Sequence, residues 1–189
     1  INLGVIDADD PGGRRLQVIA ETFTNEGVVK TSGGTLNLYS ASASNETGGQ
    51  LQVTSGTFNV GGSWQSAGRV DISGGTLNLG GTFDTTNFGG FVSTGGTVRI
   101  TGNVDNVGRT IHLSATPGSW ELSNGTIHGG TLQIEAGESL MVAYGTRSNR
   151  LDGVTVVGDI DLTTATLRLN DVAIDGRVTL TSDYYSRST

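Results

Sequence analysis

Arg69-Val-Asp-Ile-Ser-Gly-Gly-Thr-Leu-Asn-Leu79, continued by Gly80-Gly-Thr-Phe83, is the stretch that decides the fold. Val70 and Ile72, then Leu77 and Leu79, are apolar at every second position, with Asp71, Thr76 and Asn78 pointing the other way. A period of two is the mark of a strand with one buried face. The paired glycines between the runs mark corners, where a positive backbone angle or a close approach of neighbouring chain is needed. Runs this short cannot bury their apolar face alone, so they need equivalent runs stacked above and below.

Those equivalents exist. Val28-Val-Lys-Thr-Ser-Gly-Gly-Thr-Leu-Asn-Leu38, Gln50-Leu-Gln-Val-Thr-Ser-Gly-Thr-Phe-Asn-Val60 and Phe91-Val-Ser-Thr-Gly-Gly-Thr-Val-Arg-Ile100 repeat the unit, with the glycine before threonine at 34, 56, 75 and 96. Gly61-Gly-Ser-Trp64 and Thr101-Gly-Asn-Val104 repeat the continuation, and Glu21-Thr-Phe23 is a related piece ahead of the first copy. Aligning the copies sets Leu36, Phe58, Leu77 and Val98 in one inward column and Leu38, Val60, Leu79 and Ile100 in another. Val29, Leu51, Val70 and Phe91 make a third column, and Phe23, Trp64, Phe83 and Val104 a fourth. The pattern predicts an all-β fold: a single-stranded right-handed parallel β-helix, or β-solenoid, of about 20 residues per turn, with the hand taken from the crossover rule.

Beyond Trp120 the period loosens but alternation continues through Gly130-Thr-Leu-Gln-Ile134, Gly158-Asp-Ile-Asp-Leu162 and Arg177-Val-Thr-Leu180. The expected organisation is a lead-in segment at 1–22, solenoid over 23–182, and a tail or cut point at 183–189. Excursions from the coil are expected at Tyr39 to Gly49, at the Pro117-Gly118 turn and at Tyr144 to Arg150. The chain starts at Ile1 with no apolar signal segment ahead of it, which points to a removed leader or an internal piece of a longer chain.

Composition agrees. Of 189 residues, 31 are Gly, 26 Thr and 17 Ser, all poor helix formers, with 2 Pro and no Cys. No disulfide or thiolate metal site is available. A net charge of −7 with a single lysine, Lys30, argues against nucleic acid and anionic lipid as partners. No apolar run reaches the roughly 18 residues of a membrane span.

Asn25-Glu-Gly-Val-Val-Lys-Thr-Ser-Gly-Gly-Thr-Leu-Asn-Leu38 and Gly95-Gly-Thr-Val-Arg-Ile-Thr-Gly-Asn-Val-Asp-Asn-Val-Gly108 resemble repeats of large secreted bacterial β-solenoid proteins. These include filamentous-haemagglutinin-like adhesins and autotransporter passenger domains. The resemblance runs from about Phe23 to Leu180. It implies an extracellular, surface-associated rod that extends, adheres or assembles end to end, and it carries over no catalytic residue.

The chemistry-bearing residues are sparse. Asp7, Asp9 and Asp10 precede a turn but lack the further ligands of a calcium loop. His112 and His128 alternate outward without a second imidazole at ligand spacing. Asp159 and Asp161 point outward together, Asp152, Asp171 and Asp175 lie nearby in sequence, and Arg147 and Arg150 could face an acidic polysaccharide. Acid catalysis by a carboxyl pair requires one buried, protonated member, and outward aspartates do not supply it. Trp64 and Trp120 alternate as core residues, leaving Tyr144, Tyr184 and Tyr185 as freer aromatics. Of two sequons, Asn45-Glu-Thr47 is placed in a polar loop, and Asn124-Gly-Thr126 is the other.

The reading is therefore a non-enzymatic structural or adhesive segment with no cofactor and no metal. Its expected partners are itself or adjoining repeats end to end, and a surface carbohydrate or cell receptor. Its contact surface is the outward ladder Thr35, Asn37, Thr57, Asn59, Thr76, Asn78, Thr97 and Arg99, with Tyr144, Arg147 and Arg150. The rivals are a carbohydrate- or ice-binding module using that ladder, and a polysaccharide lyase or hydrolase.

Overall fold

Alternation becomes strand wherever the sequence shows it. In the computed structural model, which describes residues 1–86, 91–113, 119–144, 148–163 and 165–181, no described residue is helical. In chain order the first strands are β1 (Val5–Ala8), β2 (Arg15–Asn25), β3 (Val28–Asn45), β4 (Gln50–Ser66), β5 (Arg69–Ile72), β6 (Thr76–Leu79) and β7 (Thr82–Asp84). Next come β8 (Phe91–Ser93), β9 (Thr97–Ile100), β10 (Asn103–Asp105), β11 (Thr110–Leu113), β12 (Ser119–Leu122), β13 (Thr126–His128) and β14 (Thr131–Ile134). The last are β15 (Met141–Val142), β16 (Arg150–Asp152), β17 (Thr155–Val157), β18 (Ile160–Thr163), β19 (Arg168–Asn170), β20 (Ala173–Asp175) and β21 (Val178–Thr181).

The strands pair in parallel with counterparts in neighbouring coils, so the chain is a β-solenoid with coils about 21 residues apart. Three ladders run along it. The first joins β1, the starts of β3 and β4, then β5 and β8. It resumes as β11, β14, β17 and β20. The second joins β2, the middles of β3 and β4, then β6, β9, β12 and β15, with β18 on β21 further on. The third joins the ends of β2, β3 and β4 to β7, β10, β13, β16 and β19. Among the described residues the antiparallel exception is one bridge, Tyr144 to Ala165.

The inward columns fill the axis. Leu36, Phe58, Leu77 and Val98 are at most 1% exposed, as expected of apolar side chains whose burial contributes about 1.5–3 kcal/mol each. In the third ladder Phe23, Ala43, Trp64, Phe83, Val104, Ile127 and Leu151 are buried in one column, Trp64 and Phe83 stacking at 4.7 Å. Ala43 is the member that alignment of the repeats skips. Its small side chain hides the match to Trp64, yet the two pair in register.

Two expectations need correction. The segment from Tyr39 is not an excursion: β3 continues through Asn45, and Ser42-Ala43-Ser44 is the third-ladder run of that coil. The lead-in at 1–22 already lies on the coil path, since Val5 pairs with Val28 and Arg15 with Thr35. The Pro117-Gly118 turn and residues 183–189 fall outside the described residues.

Gly62 shows why the corners are glycine. Its φ is 85°, and a Cβ there would sit 1.8 Å from the Ser40 carbonyl oxygen of the previous coil.

Candidate functional site

The outward face of the second ladder carries the expected columns, and register places them side by side: Thr35, Thr57, Thr76 and Thr97 in one, Asn37, Asn59, Asn78 and Arg99 in the other. The asparagines form a chain of amides. Asn59 Nδ2 donates to Asn37 Oδ1 at 2.7 Å, and Asn78 Nδ2 donates to Asn59 Oδ1 at 2.6 Å. Identical amides one coil apart satisfy each other, because each has both a donor and an acceptor. Arg99 ends the chain and pairs instead with Glu121 of the next coil. These side chains are half-buried, and Asn37 is buried, so the ladder is spent on coil-to-coil contact more than on display.

Arg150 does not join that surface. Arg150 lies on the third ladder, 3.1 Å from Asp152. Tyr144 is 80% exposed beside the antiparallel bridge. Arg147, Tyr184 and Tyr185 fall outside the described residues.

The third ladder has an exposed polar column that sequence spacing conceals: Asp84, Asp105, His128, Asp152 and Asn170 align rung by rung. His128 Nδ1 is 3.5 Å from Asp152, whose carboxyl is held below its ordinary range first by the Asn170 amide and then by Arg150 and His128. The Asp84 carboxyl is likewise lowered, first by the Thr86 hydroxyl and then by the Thr86 N–H at 2.8 Å. Both are thereby favoured as anions, whereas a general acid needs a carboxyl raised above its ordinary range. Asp159 accepts the Arg177 N–H at 2.8 Å, and the Asp161 side chain is outside what the structure describes. Asp152 and Asp175 belong to different ladders. Asp7 pairs with Lys30 at 3.0 Å and accepts from the Ser32 hydroxyl at 2.9 Å, whereas Asp10 pairs with Arg14 at 3.3 Å. Among the described residues no three His, Cys, Asp or Glu side chains are grouped to hold a metal.

A second asparagine ladder escapes the sequence reading altogether. At the corner after the third ladder, Asn2 Nδ2 donates to Asn25 Oδ1 at 2.8 Å, Asn25 Nδ2 to Asn45 Oδ1 at 2.7 Å, and Asn45 Nδ2 to Ser66 Oγ at 2.9 Å. Each amide also reaches a backbone carbonyl one coil on, from Asn25 to Gln50 and from Asn45 to Arg69. Asn25 and Asn45 are buried, so the first sequon is closed to modification in the folded chain. The signal that could have found it is an Asn followed by Gly two or four residues later, as in Asn25-Glu-Gly27 and Asn45-Glu-Thr-Gly-Gly49. A Cβ at Gly49 would lie 2.4 Å from Asn45 Oδ1.

The first ladder is broken between β8 and β11, which do not pair. There the coil opens into a cleft of about 290 Å³ lined by Phe83, Phe91, Ile111, His112 and Trp120. Trp120, expected in the core, packs its inner edge against it but stays half-buried at the cleft wall. No family model, curated protein or solved structure matches the chain.

Proposed function

We propose that the chain is the shaft of an extracellular, surface-associated protein: a structural and adhesive solenoid segment without catalytic activity. The observation that carries this reading is where the repeated residues are used. Apolar columns, corner glycines and both asparagine ladders all bind one coil to the next, so what the sequence repeats is the means of making a rod. The resemblance of its repeats to those of secreted bacterial adhesins points the same way.

Electron microscopy of the purified chain over a concentration series is the test. Rods that lengthen with concentration are expected. Compact particles of constant size at every concentration would sink the assembling-rod reading, and release of unsaturated sugars from pectin or alginate would replace it with a lyase.

A further inference from the structure

The geometry points to the cleft between β8 and β11 as a binding site for a neutral sugar ring, a pyranose unit of a glycan. The inference supplies a ligand class for the adhesive reading above and rests on it only for biological use. Its volume of about 290 Å³ lies at the small end of ligand sites, suited to one ring-sized group.

The lining is graded as a sugar requires. Phe83, Ile100 and Val104 form a floor at most 3% exposed. Phe91 and Trp120 stand above it with ring centroids 5.2 Å apart and planes tilted by 35°, making an angled aromatic wall. Thr85, Thr110 and His112 ring the mouth. A pyranose has C–H faces that lie against the negative face of an aromatic ring, and hydroxyls at its edge that need donors and acceptors. The wall meets the first demand and the rim the second.

The two tryptophans separate a structural role from an available one. The Trp64 indole N–H donates to the Gly80 carbonyl at 3.1 Å, completing a core residue. Among the described residues no hydrogen bond engages the Trp120 indole N–H or the His112 imidazole, and both residues line the cleft. Charge narrows the class further. The chain has 29 charged side chains by its Lys, Arg, Asp and Glu counts, yet none of the described lining residues is one. A uronate would enter without a cation to meet it, whereas a neutral ring loses nothing.

Tryptophan fluorescence of the full chain, titrated with cellotetraose, tri-N-acetylchitotriose and tetragalacturonate, tests the site. A saturable change with at least one neutral oligosaccharide and none with tetragalacturonate is expected. Trp120→Ala should weaken binding roughly tenfold. His112→Ala, at an exposed position, should weaken it several-fold with an unchanged melting curve, so the result does not depend on how Trp120→Ala folds. No saturable change with either neutral sugar, a preference for tetragalacturonate, or undiminished affinity in His112→Ala would overturn the proposal. Microscopy of the same samples separates the two readings: rods that bind no sugar refute the site and leave the shaft, and sugar binding by particles that form no rods does the reverse.

Discussion

The two asparagine ladders use one residue type at one spacing for different ends. In the outer ladder, Asn37, Asn59 and Asn78 bond side chain to side chain on a half-buried face. In the inner ladder, Asn25 and Asn45 bond each other and the backbone of the following coil, in a corner closed to solvent. Water can replace a lost partner at Asn59 and cannot at Asn45. The same hydrogen bond is therefore a modest gain on one face and a requirement on the other, since an orphaned buried polar group costs about 1–3 kcal/mol.

The scale for that comparison comes from the strand between Thr76 and Leu79, where inside and outside alternate. Leu77→Asp puts an unpaired charge into a column 1% exposed and should cost about 4 kcal/mol or more. Thr76→Asp, one residue away on the half-buried outer face, should cost under about 1 kcal/mol. Equal losses in thermal melts of the two variants would invalidate the register on which both ladders depend.

Next in size is the direct contrast. Asn45→Ala removes the acceptor of the Asn25 amide and the donor to the Arg69 carbonyl in a sealed corner and should cost about 2–4 kcal/mol, against about 0.5–1.5 kcal/mol for Asn59→Ala. Denaturant midpoints measured side by side decide it, and a larger loss at Asn59 would break the distinction. Thr31 sharpens it from the opposite direction. This threonine is fully buried in the inward column of Ala8, Val53 and Ile72, and its Oγ1 has no hydrogen-bond partner. Thr31→Val keeps the shape and removes the orphan, so it should stabilise by about 1 kcal/mol. A destabilised variant would mean that the hydroxyl is satisfied.

The smallest effect is a pH dependence on the exposed third-ladder column. Thr86 lowers the folded-state value of the Asp84 carboxyl. Its contribution is thus complete above the unfolded value of about 3.9 and is lost as pH falls through the lower folded value. Asp84→Asn should lower the melting temperature slightly at pH 7, where the carboxylate's contribution is complete, and leave it unchanged in acid once Asp84 is protonated, so that the acid limb flattens. An unchanged acid limb would show that Thr86 does not hold the carboxylate in solution.

Much of this architecture is legible in the residues themselves. Period-two alternation and glycine spacing are local properties, so Leu36, Phe58, Leu77 and Val98 fall into one column from the repeat alone. Ser42-Ala43-Ser44 is not legible as a strand, because a column position filled by alanine carries little hydrophobic signal. Asn45 is misplaced for a related reason: asparagine before glycine reads as an exposed turn whether or not neighbouring coils close over it.

The sequence by itself determined the all-β class, the coil period and the inward columns, because backbone pleat and corner geometry act within a few residues. It also determined which residue types alternate outward along the second ladder. Only the tertiary structure decided which asparagines are sealed in and which are half-open, since that depends on carbonyls more than twenty residues away, such as Gln50 over Asn25. Only it decided that Asp84, Asp105, His128 and Asp152 share a column, because corners of unequal length set that register. The break between β8 and β11 is of the same kind. Each strand reads like the others, and the cleft exists because those two do not meet.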